Sequence, residues 1–490
     1  MEKRTKYILI AIFAVTLATR LVLAFLIPNL TYDSYFHLRQ VEEISNTGLP
    51  LYQDPLSYGG RTLRFLPFFH YFMALFDLVL PIELIVKILP NLLLATLTIT
   101  VFFIGKKISG NDDASLFSAA IVGFLPILFF TNTFSPLTLF LPLLFLNIYA
   151  FMNIKEPNYI YLYIASFLLL SFTSSATFLL IVGFGIYLLL SFIEGKRTAR
   201  SELELIIFSL FFFIWIQFIF FKNVLVKQGI AFIWQNIPAQ IIQEYFPQIS
   251  IFQSLILVSI VPFLIGILVV YRSLFQLKGQ KAFLLISFVI STIILAWLRL
   301  IEFKLALTFF GIILAILFVL FYQDASSYIR STKLPRLKKY LTVILIVLLL
   351  LTTVYPAIKT ALEQDTPKDH EIAAFQWLGQ NTPENAAVLA LLEEGHLVTY
   401  YAHRKNLIDD QFGLVKDVDK RFAAMNSLYI TPFQTQALHL TDEYHIQYLT
   451  LTPTAQEKYG LDRFGYLTEE CFELVHNQIT KIYKVNCALT

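Results

Sequence analysis

The chain is short of charge, of cysteine and of catalytic signatures. Only 14% of its 490 residues are Asp, Glu, Lys or Arg, against about 25% in soluble globular domains, which excludes a water-soluble multidomain enzyme. A net charge of +3 leaves no polybasic surface for nucleic acid. Two cysteines are too few for a disulfide-stapled mini-protein. GxxxxGK[ST], HExxH, GxSxG and paired CxxC motifs are all missing, as are internal repeats. What remains is apolar: 57% of residues are hydrophobic and 48 are Phe, which also excludes a disordered chain. The composition is that of a polytopic membrane protein.

A bilayer core takes about 20 mostly apolar residues per helix. About eleven runs approach that length: 7–27, 84–105, 114–131, 136–152, 158–173, 175–193, 204–221, 249–271, 282–298, 303–321 and 340–356. The first follows Lys3, Arg4 and Lys6 and lacks a small-residue cleavage site, so it reads as an anchor, not a signal peptide. The run 64–80 (RFLPFFHYFMALFDLVL) is ambiguous, and charge decides it, because cytoplasmic loops collect Lys and Arg. As a span it would put Lys106, Lys107, Lys196, Arg197 and Arg200 outside. Lying flat at the outer interface, it keeps them cytoplasmic, together with Arg272, Lys278, Lys281, Arg330, Lys333, Arg336, Lys338 and Lys339. His70, Pro67 and Asp77 also suit an interfacial position. The expectation is a cytoplasmic N-terminus, with loops 28–83 and 222–248 and the tail beyond 356 on the outer side.

After Pro356 charges return and segments shorten. Residues 370–379 read as an amphipathic helix closed by the turn NTPEN, 386–391 as a buried strand, and Cys471–Cys487 as a β-hairpin. About 120 residues suffice for one small α/β core. Both cysteines sit in the hairpin, about equidistant from its turn, and two readings remain: an oxidised pair on the outer face, or two buried thiols. The expected architecture is mainly α, with a membrane domain over 1–356 and an extracytoplasmic α/β domain over 357–490.

Polar residues on the outer side are the candidates for chemistry. Asp33, in TYDSYFHLR, shares a loop with His37, Arg39, Asp54, Arg61 and His70. A carboxylate there can bind a divalent metal with a histidine, or take a proton from an acceptor hydroxyl; the plain alternative is a solvated loop acid. Glu244, in IPAQIIQEYFPQ, is a lone acid in apolar company, where desolvation demands a partner or a position snorkelling at the interface. Arg299, Glu302 and Lys304 cluster at the ends of two helices, where a basic pair can hold a phosphate or simply pair with Glu302. His403, Arg404, Asp409 and Asp410 read as polar surface by default.

YDSYFHLRQVEEISNTGLPLYQDPLSYGGR followed by RFLPFFHYFMALF resembles the first outer loop of the oligosaccharyltransferase catalytic subunits, archaeal ones above all, which belong to the GT-C superfamily of membrane glycosyltransferases. IIQEYFPQ is similar to their TIxE-like motif. FQWLGQNTPENAAVLALLEEGHLVTYYAHRKNLIDD resembles the start of their outer domain. The resemblance implies a polyprenyl-linked sugar donor, an acceptor protein, glycan or lipid, and a site on the outer face of a plasma membrane. It implies Asp33 as metal ligand or acceptor base, Glu244 in the loop that closes on the acceptor, and a divalent metal (Mg or Mn) held by Asp33, His37 and Glu244. Arg39, His70, Arg299 and Lys304 would contact substrate, the last two its phosphate. Two departures stand against it. Leu391, Leu392, Glu393, Glu394 and Gly395 occupy the WWDYG position, and TNTFSPLTL offers Ser135 and Leu137 where a DxD-type acid pair belongs. With that pair missing, a metal-independent mechanism similar to the protein O-mannosyltransferases competes. A non-catalytic relative that binds a lipid-linked glycan or a partner protein is the second class of function. A transporter is the third, and the scarcity of ionisable residues in mid-span disfavours it.

Overall fold

The computed structural model describes residues 2–229, 249–277, 280–331 and 337–488. These fall into two compact units. The first joins the N-terminus to Pro28 with Leu66–Lys222 and Ile249–Gln364; the second joins Asn29–Phe65 with Asp365–Thr490. The division differs from a single cut after 356 in two ways. Most of the first long loop groups with the tail, and the helix Tyr355–Leu362 stays with the first unit. Pro356 closely follows a π-helical turn, Leu350–Val354, within the helical stretch Tyr340–Leu362.

In the first unit all the apolar runs carry helix. The opening ten helices are α1 (Lys3–Leu26), α2 (Ser34–Thr47, in the second unit), α3 (Phe68–Asp77), α4 (Ile82–Ala95), α5 (Leu97–Ser109), α6 (Asp112–Gly123), α7 (Leu137–Phe151), α8 (Pro157–Thr173), α9 (Phe178–Ile193) and α10 (Arg200–Gln228). Six stretches of the described residues are long and apolar enough to cross a bilayer: Lys3–Leu26, Ile82–Ser109, Ser175–Ile193, Arg200–Val226, Phe303–Ile329 and Tyr340–Leu362. A seventh, Ile251–Val258 with Ile260–Phe275, bends by 92°. Several of the expected spans are therefore shorter than a crossing requires. The third run stops at Gly123, ahead of Pro126, whose ring keeps the preceding residue out of the helical region. The bend falls at Ser259, buried with φ +67. Three residues on, Pro262 cannot donate to the carbonyl of Val258, and the Ser259 hydroxyl bonds Thr353 Oγ1 at 2.6 Å. Helix α3 has ten residues, about half of what a crossing needs, so 64–80 is not a span.

Phe side chains fill this unit: Phe145, Phe184, Phe288 and Phe309 are fully enclosed, with ring centroids 5.4–6.1 Å apart. Gly183 lets α9 approach closely, since a Cβ there would lie 2.1 Å from Phe288. Small residues serve that purpose wherever apolar helices meet in lipid.

The second unit is α/β. Its five-stranded sheet has the order β4-β3-β5-β7-β6, with β3 Ala387–Leu389, β4 Lys405–Asn406, β5 Ile446–Leu451, β6 Phe472–Asn477 and β7 Lys481–Val485. β3 runs parallel to β4 and β5, while β7 is antiparallel to β5 and β6. A separate two-stranded ladder, β1 (Gln53–Asp54) with β2 (Arg61–Thr62), belongs to the long loop. The expected helix is present as Asp369–Asn381 and the hairpin as β6–β7. A disulfide joins Cys471 and Cys487 across a sequence separation of 16. Closing a loop of about 15 residues is worth about 3 kcal/mol in the chain-entropy model. The double variant Cys471→Ser/Cys487→Ser is accordingly expected to lower the unfolding free energy of the tail by about that amount, read by urea denaturation under oxidising conditions.

Candidate functional site

Asp33 stands at the N-cap of α2, but its carboxylate makes no capping bond. The helix buries Tyr35, Phe36, Leu38, Val41 and Ile44, which fixes the face on which Asp33 and His37 stand one turn apart. Burial, opposed by Asp33 and reinforced by His396, lowers the His37 pKa to about 4. The imidazole is therefore neutral at pH 7. Its neighbour His396 is raised above the ordinary value: burial opposes its charge, but Asp410 at 2.6 Å and Asp409 outweigh that. Two histidines of opposite tendency thus lie near each other, His37 neutral beside Asp33 and His396 paired with an acid.

The rest of the loop is held by ionic ties. Arg39, expected to contact substrate, donates two bonds to Asp54, at 2.8 and 3.0 Å. Asp54, 2% exposed, also accepts from the backbone of Leu56 and Ser57. Asp409, read from sequence as polar surface, is fully buried. It accepts from Ser57 Oγ at 2.6 Å, Asn406 Nδ2 at 2.9 Å and the Gln411 N–H at 3.1 Å, and pairs with Arg61 at 3.4 Å. Burial raises its pKa, but His396, Arg61 and these bonds bring it below the usual carboxylate value. Arg404, likewise read as surface, is buried and donates to the carbonyls of Gly379, Thr382 and Ala402.

The segment at the WWDYG position is packed inward. Leu391, Leu392 and Glu394 have no exposed surface, and a Cβ on Gly395 would lie 2.2 Å from the Ile408 carbonyl. Glu394 accepts from the Leu391 N–H and the Thr452 hydroxyl. Burial and then the nearby Glu371 raise its pKa to about 8. Glu371 itself accepts from Tyr32 and Thr454.

Other expected site residues lie in the first unit. His70, 1% exposed, is enclosed in α3, its ring edge-on to Phe69. Arg299 is exposed at φ +56, and the Lys304 ammonium lies 3.7 Å from the Phe130 ring centroid. In the same loop as Ser135 and Leu137, Asn132, fully buried, donates to the Ile27 carbonyl, and Gln364 donates to Thr133. Glu244 falls outside the described residues. Among those described, no group of three His, Cys, Asp or Glu side chains is placed to hold a metal. Asp33 and His37 supply two donors of the expected metal set, and the third, Glu244, lies outside the described residues.

Arg20, in α1, was passed over in the sequence. It is 2% exposed, donates Nε to Asn91 Oδ1 at 3.1 Å and lies 5.0 Å from the Phe129 ring centroid. The available signal was a lone charge inside an apolar span.

The fold is similar to that of an archaeal oligosaccharyltransferase and of ArnT. The oligosaccharyltransferase AglB of Archaeoglobus fulgidus, in complex with an inhibitory peptide and a dolichol-phosphate, aligns with a TM-score of 0.69 at 12% identity, over 92% of this chain and 70% of that one. ArnT from Cupriavidus metallidurans aligns in its apo state at 0.58 and 12% identity over 99% of both chains. Bound to undecaprenyl phosphate, it aligns at 0.54 and 11% over 98% of both. At such identities the likeness concerns the fold. The sequence matches no protein-family profile and no curated protein.

Proposed function

We propose that the chain is a glycosyltransferase that moves a sugar or glycan from a polyprenyl-phosphate or -pyrophosphate carrier to an acceptor on the extracytoplasmic face. The observation that carries this reading is a likeness extending over 99% of both chains to ArnT, a protein also known bound to undecaprenyl phosphate. Asp33 takes the proton of the acceptor hydroxyl. The acceptor oxygen bonds to the anomeric carbon as the bond from that carbon to the carrier's phosphate oxygen breaks, and the phosphate leaves with the electron pair. Arg299 and Lys304 stabilise that developing charge. Glu244 belongs to the loop that closes on the acceptor. The proposal includes the N-terminus inside, about eleven membrane-embedded helical segments and the tail outside.

The packed LLEEG segment and the buried Asn132 favour a second reading, a non-catalytic relative that binds a lipid-linked glycan. Purified protein in nanodiscs, supplied with polyprenyl-linked sugars and a membrane extract, separates the two. Transfer of labelled sugar is the expected result. Retained glycolipid binding with no transfer from any donor would leave the second reading standing.

A further inference from the structure

We propose that Thr16, Arg20, Asn91 and Thr131 form a binding site for a phosphoryl oxyanion inside the first unit, beyond the phosphate contacts placed above on Arg299 and Lys304.

Arg20 is as enclosed as the Phe core, yet Asn91 Oδ1 is the acceptor its side chain has at hydrogen-bond distance, and Nη2 is buried with none among the described residues. The Phe129 ring offers its guanidinium a π-face but no counter-charge. A helical side chain leans toward its own N-terminus, so Arg20 extends over Thr16 one turn earlier. The Thr16 hydroxyl, 1% exposed at the residue, is also buried without a partner. Asn91 holds the opposite wall: its Nδ2 donates to the Thr131 carbonyl at 2.8 Å. Thr131 Oγ1 is the third buried polar atom without a partner. Asn91 thus ties the Arg20 guanidinium to the Thr131 backbone, and a guanidinium nitrogen and two buried hydroxyls are left with spare donors.

The cost of that arrangement decides what completes it. An unpaired ion withdrawn from water is strongly unfavourable, and a trapped water would satisfy donors without neutralising charge. An oxyanion does both, and guanidinium geometry matches the paired oxygens of a phosphoryl group. Arg20 lies six residues from the end of α1, about 9 Å at 1.5 Å per residue, a depth that either a lipid phosphate or free phosphate can occupy.

Thermal unfolding of the full chain tests this in two arms, every protein carrying Arg299→Met and Lys304→Met so that the phosphate contacts placed above do not respond, and wild type meaning that Arg20 is retained. One compares potassium phosphate with potassium chloride at equal ionic strength in detergent. The other compares phosphatidylcholine nanodiscs with and without polyprenyl phosphate. Wild type is expected to melt about 2–4 °C higher with the anion, and the arm that responds identifies the source. Arg20→Met should lose the shift while melting no lower than wild type in chloride, because it removes an uncompensated ion. Arg20→Lys keeps the charge but not the fork, so its shift should shrink without loss of fold. No shift in wild type, or a shift that survives in Arg20→Met, overturns the proposal. So does an Arg20→Lys variant that responds as fully as wild type. The readout is binding, so absence of sugar transfer would leave the result intact.

Discussion

Replacing Asp33 with Asn is expected to lower sugar transfer by about 10²–10⁴-fold, the range that a positioned acid–base group contributes. The variant keeps the shape and hydrogen-bonding capacity of the side chain and removes its basicity. Because the Asp33 carboxylate makes no capping bond, α2 loses nothing by the change, and the thermal midpoint should stay at the wild-type value. The loss should appear in kcat, with donor binding unchanged, since the residue acts on the acceptor proton. Initial rates with labelled polyprenyl-linked sugar, beside direct donor-binding measurements, provide the check. An Asn variant that turns over at the wild-type rate would remove Asp33 from the chemistry.

A large stability effect is expected at Glu394. Its carboxyl is fully buried beside Glu371, and its pKa rises from 4.5 to about 8. The folded protein keeps this proton up to about pH 8, whereas the unfolded chain releases it near 4.5. The stabilisation is therefore complete below pH 4.5 and is lost as pH rises through 8. At about 1.36 kcal/mol per pH unit the ceiling is about 5 kcal/mol. Glu394→Gln should abolish that slope, so its stability difference from wild type must change between pH 5 and 9. Buried Asp409 works in the opposite sense: its lowered pKa contributes stability above the ordinary value of 3.8. For that reason the difference between variant and wild type, followed by denaturant titration at each pH, is the quantity to measure. A difference constant across that range would show that Glu394 does not carry the proton.

Apolar runs and their punctuation were legible because composition is local. The helices, the ten-residue α3 and the β6–β7 hairpin follow from stretches that each carry their own pattern. The break at Ser259 was not read, although Pro262 announced it, because an apolar average over 249–271 hides one missing N–H. Arg20 escaped for a similar reason: a single charge still leaves a mean hydropathy of 2.4 over an 18-residue window of Lys3–Leu26, and burial is not written in composition. Arg39 illustrates a different limit. Its basic charge suggested a ligand, yet Asp54 lies only fifteen positions on, and nothing in the spelling indicated that a turn would return the carboxylate to it. Of the candidate site, the position of Asp33 beside His37 was readable from helical spacing. The pairing of His396 with Asp410 was not, because it depends on how the tail folds.

The bond from Ser57 to Asp409 spans 352 positions, and Tyr58 donates across 351 to the Asp409 carbonyl. At about 5–20 residues per second, a ribosome emits Ser57 tens of seconds before the partner that secures it exists. The sheet repeats the delay on a smaller scale, because β7, near the end of the chain, lies between β5 and β6. Folding of the second unit therefore runs against the order of translation: the earliest loop waits as a guest for the segment around Asp409, and β5 for a strand made after β6.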